Sequence, residues 1–395
     1  MHVVIAGGGI AGLATAVAVR RAGHAATVLE RRSAAEATGS RLQVASNGMV
    51  AFDALGLGDA ASELGEATPR VRISAADGRR TADLPLGPQP GEGRVTRSLR
   101  RADLHALLRE EAARVGARTV HAARVTAVEQ DARGATLITE HGERHAGDLV
   151  IGADGVGSAV RAGLGAHAAG SADRVTGLVY VGGTARAGAL PASASAPGTL
   201  QFRFGRDCFV AYAILEDGTT GWFANPRVPV SRRGSAPDAP LASEDWARLL
   251  LRLGARDALP LEHLVPASPD LDARLPRPEA PPAWGSRRVV LVGDAAHAIS
   301  PSSGQGASLA LEDAAVLGRI LAGGAEPADI AAQLARRRRE RVACVIEQGR
   351  WLDRIKLLGP VGAAVRDRVI MPLADRRAAR GGAGAASGLY DFELA

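Results

Sequence analysis

A glycine pattern at the start of the chain constrains its fold more than any other feature. Gly7-x-Gly9-x-x-Gly12 follows the apolar run His2 to Ala6 and opens the helix-like stretch Ile10 to Gly23. A second apolar run, Ala26 to Glu30, ends in a carboxylate 18 residues past Gly12. Strand, tight turn, helix and strand in that order make the βαβ unit of a Rossmann-like domain. Gly7 permits the turn, Gly9 leaves the backbone open to a pyrophosphate, and Gly12 lets helix and strand pack closely. The helix start offers free N–H groups and a positive dipole end to phosphates. Glu30 is placed to accept from both ribose hydroxyls. A chain with this beginning is expected to bind a dinucleotide.

Two later segments extend the pattern. In DLVIGADGVGSAVR, Asp148 to Arg161, an apolar strand runs into Asp154-Gly155, with Ser158 and Arg161 about one helical turn apart. In LVGDAAHAISPSSGQGASLALEDA, Leu291 to Ala314, a buried strand delivers Gly293-Asp294 to a loop. Pro301 follows, and Gly304-Gln305-Gly306 opens a long apolar helix. Asp294 suits a polyol hydroxyl, and the glycine N–H groups suit an anionic ligand. His297 reads as a loop-positioning residue rather than a catalytic base.

Composition narrows the alternatives. With 46% hydrophobic and 23% charged residues the chain is globular, not disordered. Cys208 and Cys344 are too few for a disulfide framework or a cysteine-rich zinc site, so a reducing compartment is expected. The net charge of +6 rests almost wholly on scattered arginines; Lys356 is the only lysine. The run Arg336 to Arg339, with Arg341, reads as a solvated helix face. Aromatics at 3% leave little for base stacking, so no nucleic-acid partner is expected. The apolar N-terminus lacks a basic leader and is broken by glycines, and no run is long enough for a membrane span. The expectation is a soluble, cytoplasmic protein.

Periodicity places a strand at Arg41 to Ala45, short helices around Met49 and Leu64, and alternating strands at Val71 to Ile73 and Thr81 to Leu84. A helix spans Arg101 to Val115. Strand signals return at Val125 and Thr136 and dominate from Val175 to Asn225. After Gly304 the pattern is helical until a small-residue loop, Arg380 to Gly388.

The order of these segments resembles the single-component FAD-dependent aromatic hydroxylases, relatives of the p-hydroxybenzoate, salicylate and urate hydroxylases. The resemblance runs from the N-terminus to about Leu321. It implies an α/β fold, in which a Rossmann-like FAD-binding domain is interleaved with a β-sheet substrate domain and followed by C-terminal helices. The implied FAD-binding parts are residues 1–70, 94–172 and 271–323. The substrate parts are 71–93 and 173–270, and 324–395 are the C-terminal helices.

Position by position, the resemblance assigns Glu30 to the adenosine ribose with Arg31 beside it. Arg101, at the start of an R-x-x-L helix, is assigned to the phosphates or ribityl chain, and Val125 to the adenine through its backbone. Asp154 supports FAD and the transient pyridine nucleotide, and Asp294 meets the ribityl or pyrophosphate region. Pro301 lies near the flavin, and Gly304, Gln305, Gly306, Ala307 and Ser308 surround its pyrimidine edge. Arg41 and Gln43 join the cofactor set. Arg41 departs from the small residues the family often carries at Gly39 to Leu42, and Ala307-Ser308 stands where Asn is frequent.

The resemblance further implies non-covalent FAD, reduction by NADPH or NADH, and O2 adding at C4a to give a hydroperoxyflavin that hydroxylates a small aromatic substrate. The sheet residues Phe202, Phe204, Tyr212, Trp222 and Phe223 are candidates to line the substrate pocket. A flavin-dependent epoxidase or Baeyer–Villiger-type oxygenase is the alternative, followed by a non-catalytic FAD-fold binding protein. A flavin halogenase needs a tunnel lysine, and Lys356 is set aside as too far toward the C-terminus.

Overall fold

Val3, Val4, Ile5 and Ala6 are fully buried, so the first strand can sit only inside a sheet covered on both faces. In the structure, a computed structural model, His2–Ala6 pairs in parallel with Ala25–Leu29 on one side and Leu149–Gly152 on the other. Arg118–Val120 and Val289–Leu291 extend the sheet in parallel, and the short strand Gly285–Ser286 closes it antiparallel. The structure describes residues 1–33, 41–165, 178–196, 198–228, 242–275, 281–380, 387–390 and 392–394. Most of the expected loop from Arg380 to Gly388, and the first part of the Gly39 to Leu42 stretch, lie outside the described residues.

The helix Ile10–Arg21 is rich in Ala and Val and buried nearly all round. The sheet lies beneath it and the helix Gly306–Ala322 packs against it, which is why its sequence shows no polar stripe. Helix Arg101–Arg114 buries Leu104, Leu108 and Ala112 on the same core, with Leu107 half-buried beside them.

A seven-stranded sheet stands apart from this layer. Its order is Asp272–Arg274, Tyr180–Ala185, Thr220–Pro226, Cys208–Ile214, Thr199–Phe204, Arg70–Ser74 and Arg80–Pro85. Strands near residues 70–85 and 180–226 thus meet in one sheet, through the parallel pair Arg70–Ser74 and Thr199–Phe204. One face packs on helix Ser243–Gly254 through Val210, Tyr212, Trp222, Trp246 and Leu250. The other buries Phe204, Phe209 and Ala211 against Ile355 and Met371 of the C-terminal helices.

The helix Ile330–Lys356 joins the two layers. Its first part buries Ile330, Leu334, Val342 and Val345 in the dinucleotide-domain core, and its end delivers Ile355 to the seven-stranded sheet. Here the solvated-face reading of the arginine run needs correction. Arg336, Arg337 and Arg339 are exposed, but Arg338 is 1% exposed and Arg341 is half-buried. Arg338 donates to Asp313 Oδ1 at 2.7 Å and lies 2.5 Å from Glu312 Oε2; Arg341 reaches Glu312 at 3.0 Å. A helix turns about 100° per residue, so one arginine of a consecutive run falls on the buried side.

Removing Arg338 would take the guanidinium shared by two buried carboxylates from both. Arg338→Ala is expected to lower stability by about 3–5 kcal/mol in urea unfolding, while exposed Arg336→Ala stays within about 0.5 kcal/mol.

Candidate functional site

The glycine turn is built as its spacing requires. Gly7 has φ +98°, and a Cβ there would lie 2.5 Å from the Ala153 carbonyl oxygen. A Cβ on Gly12 would fall 1.8 Å from the Gly7 carbonyl oxygen, so only glycine lets the helix lie this close. Gly9 differs: nothing lies within 4 Å of its missing side chain. That open flank, beside the unpaired N–H groups of a helix start, fits a pyrophosphate.

Glu30 ends its strand half-buried and turns its carboxylate back on the loop. Oε2 accepts from Gly8 N at 2.7 Å and Oε1 from Arg32 N at 2.8 Å. Each oxygen keeps a further lone pair, so Glu30 both shapes the turn and remains able to accept from a ribose. Arg31 is exposed beside it, and Val125 begins the strand Val125–Gln130, half-buried. His105, which no sequence signal marked, touches the Gly8 carbonyl oxygen through Nε2 at 2.7 Å and steadies the same turn.

Arg101 and Asp294 lie close enough to influence each other's charge. Both are open to solvent, yet burial shifts both: it lowers the guanidinium from its usual value and raises the Asp294 carboxyl. Arg274 pushes Arg101 down further while Asp294 supports it; His297 and Arg101 pull Asp294 back.

Asp154 plays a local part. Its Oδ1 accepts from Ser158 Oγ at 2.5 Å and its Oδ2 from Ala159 N at 2.8 Å, capping the helix Ala159–Gly163. Arg161 then donates to the Ala295 and Ala296 carbonyls at 3.3 and 3.0 Å, and to that of Pro281. The second motif is a clasp that fixes the third.

The third motif rests on buried charge. Asp313 Oδ2 accepts from Gly293 N at 2.9 Å and meets His297 Nε2 at 2.6 Å, so His297 positions the loop. Pro301 is exposed and opens a 3-10 turn that ends at Gly304, φ +66°. Gln305 and Ser308 turn inward. Gln305 Oε1 accepts from Asn47 Nδ2 at 2.8 Å, and Ser308 Oγ from Ala45 N at 3.0 Å. These side-chain hydrogen bonds hold the loop, in keeping with the expectation that any cofactor contact here runs through backbone N–H groups. Gly306 has open space at its missing Cβ, and Ala307 is half-exposed. Gln43 Oε1 approaches the missing Cβ of Gly304 at 3.5 Å, and Gln43 Nε2 and Arg41 Nε are buried without partners. An orphaned Gln43 donor beside an open helix start matches the acceptor-rich edge of a flavin, so the residues present fit FAD.

The five aromatic candidates do not form one wall. Neighbouring strand residues point to opposite faces. Phe202, Phe204 and Phe223 share the face with Phe209. Tyr212 and Trp222 lie on the other, where Trp222 Nε1 donates to Ser268 Oγ at 2.8 Å and Tyr212 OH to the Ala194 carbonyl at 3.2 Å. Phe204 is covered by Arg366, 4.2 Å from its ring. Trp222 and Tyr212 are thus core residues behind the sheet. Tyr180, Asn225 and Lys356 stand on the face that meets Pro301: Tyr180 OH lies 2.5 Å from Ser302 Oγ, and Lys356 Nζ is 2.8 Å from the same oxygen. Its distance along the chain did not keep Lys356 from the sheet.

Gly9 and Gly12 give paired tests. Gly12→Ala meets backbone and is expected to lose about 3 kcal/mol or more in urea unfolding. Gly9→Ala meets no protein atom; it should fold normally and weaken FAD at least tenfold in fluorescence titration.

Residues 1–203 and 277–347 match the family model described as FAD binding domain. The aurachin C monooxygenase/isomerase of Stigmatella aurantiaca is 31% identical over 87% of this chain and 85% of its own. The 3-hydroxybenzoate 6-hydroxylase of Polaromonas naphthalenivorans is 30% identical over 81% and 79%. Klebsiella pneumoniae HpxO, solved with FAD and uric acid, superposes with a TM-score of 0.83 at 24% identity, covering 99% of this chain and 97% of that one, a likeness of fold. No helix among the described residues is long and apolar enough to cross a membrane. The chain therefore belongs to the FAD-dependent aromatic hydroxylase and monooxygenase family.

Proposed function

We propose that the chain is a single-component oxygenase that takes electrons from NADPH or NADH and uses O2 to hydroxylate a small aromatic or related natural-product substrate. One observation carries this reading: the helix start at Gly304 to Ser308 and the aromatic face of Tyr180 and Phe223 meet at a single loop, Pro301 to Ser302. A cofactor edge and a substrate wall belong together only where one acts on the other. The relatives' names, which include a 3-hydroxybenzoate hydroxylase, support an aromatic substrate.

Bound FAD would supply electron transfer and oxygen activation, for which no protein side chain is suited. The residues of this chain bind, orient and exclude water. Gly7, Gly9, Gly12 and Glu30 would hold the adenosine and pyrophosphate, and Arg101 and Asp294 the ribityl stretch. The first N–H groups of Gly306–Ala322 would face the flavin's pyrimidine edge and favour negative charge there. Phe202, Phe209 and Phe223 stack edge-on and tilted at 5.1 to 6.0 Å, a dry backing for an aromatic substrate.

The test is substrate-stimulated NADPH oxidation by the purified yellow protein against a phenol, salicylate, purine and polyketide panel. Stimulation with a hydroxylated product supports the reading; a protein that takes up no FAD overturns it. The helix start has its own test. Gly306→Pro, reconstituted with FAD, deletes one donor at the first helical position. One charge-assisted hydrogen bond of about 1.5–3 kcal/mol converts to a fall of roughly 30–65 mV in the FAD midpoint potential, read by dye-equilibrated reductive titration.

A further inference from the structure

We propose that Lys356 is a positioning residue of this site, its amine pinning the Pro301–Ser302 loop to the aromatic wall of the seven-stranded sheet; the proposal rests on the functional reading above. Lys356 Nζ donates to Ser302 Oγ at 2.8 Å and to Asn225 Oδ1 at 3.0 Å. It lies 4.4 Å from the centroid of Phe209, 5.3 Å from that of Phe223 and 5.4 Å from that of Tyr180. Ser302 Oγ also meets Tyr180 OH and donates to Asp353 Oδ1. Three strands and the loop therefore converge on this amine of the long helix.

The choice of residue is informative. Lys356 is the only lysine in the chain and is 3% exposed. A buried amine is costly, and methionine would fill the space among three rings without that cost. No apolar side chain, however, could donate to the loop and the sheet at once. Asp353 from the same helix and Tyr180 from the sheet are the titratable groups facing the amine; Phe209, Phe223, Asn225 and Ser302 bring no charge. Burial brings the amine down to about 7, against the pull of Asp353. The protonated form has three N–H groups and is drawn to the rings; the neutral form has two and is not. The pin therefore slackens as pH rises through neutrality.

Folding responds in the opposite sense. The unfolded lysine keeps its proton up to about 10.5 and the folded one only to about 7. Unfolding thus takes up a proton between those values, and stability rises with pH across that window.

The experiment compares wild type, Lys356→Met, Lys356→Arg and Ser302→Ala, each isolated with its FAD. Hydrogen peroxide released per NADPH oxidised is measured from pH 6 to 8.5, FAD affinity at pH 7, and urea midpoints from pH 6.5 to 9.5. Wild type should waste more NADPH as peroxide at higher pH. Lys356→Met and Ser302→Ala should raise the peroxide fraction several-fold at pH 6.5 and flatten its pH profile. FAD affinity, to which Gly7, Gly9, Gly12, Glu30, Arg101 and Asp294 would contribute, should move less than twofold. Lys356→Arg should restore coupling without the pH dependence. Between pH 7 and 9.5 the wild-type folding constant should gain roughly a hundredfold over that of Lys356→Met. Unchanged peroxide fractions in Lys356→Met and Ser302→Ala overturn the proposal. If Lys356→Met does not fold, Ser302→Ala decides alone. A wild type that binds no FAD defeats the functional reading instead; the urea series needs no flavin, and a wild type and Lys356→Met that respond alike to pH overturn the pin.

Discussion

Asp313 is wholly buried, and the rest of the site depends on how its charge is met. Burial pushes its carboxyl up, but His297 and Arg338 outweigh that and hold it near 2, with the Gly293 N–H adding a third donor. The neighbouring Glu312 is paired by Arg338 and Arg341 and accepts from Asn47 at 2.6 Å. Asn47 in turn holds Gln305. One buried network thus fixes both ends of the loop from Gly293 to Gly306 and ties it to the helices Ser46–Ala54, Gly306–Ala322 and Ile330–Lys356. Such a network is tolerable only when nearly complete, because each stranded charge would cost several kcal/mol. The loop from Gly293 to Gly306 is held in place for that reason.

A second layer of support works through the same loop. Asp154, Ser158 and Arg161 clasp the Asp294 segment from the sheet side, and Lys356 and Asp353 hold Ser302 from the helix side. Pre-organisation of this kind suits a reaction in which the protein contributes placement and dryness rather than a nucleophile. The helix Ile330–Lys356 supplies Arg338 to the layer of the parallel sheet and Lys356 to the seven-stranded sheet, so it couples the two by covalent connection.

The glycine turn and its partners were legible in the sequence because each rests on a local rule. Gly7 needs a positive φ and Gly12 a close approach, and both constraints act within a few residues. Glu30 was legible because a strand of known length ends at it. The aromatic wall was half legible. Alternation already forbids Trp222 and Phe223 from sharing a face, but which face meets the loop depends on where the helices Ser243–Gly254 and Ile330–Lys356 pack.

By itself the sequence determined the βαβ unit, the order of the three motifs and hence the family, because these depend on short-range sterics and periodicity. Tertiary structure alone decided which polar side chains serve the ligand and which serve the scaffold. The side chains of Gln305 and Ser308, in a stretch read for its backbone N–H groups, fasten the loop to Asn47 and Ala45. Arg338 and Lys356 read as surface or remote residues and are buried at its centre. The physical reason is that a buried charge or donor is placed by its partners, and those partners are brought to it from distant parts of the chain.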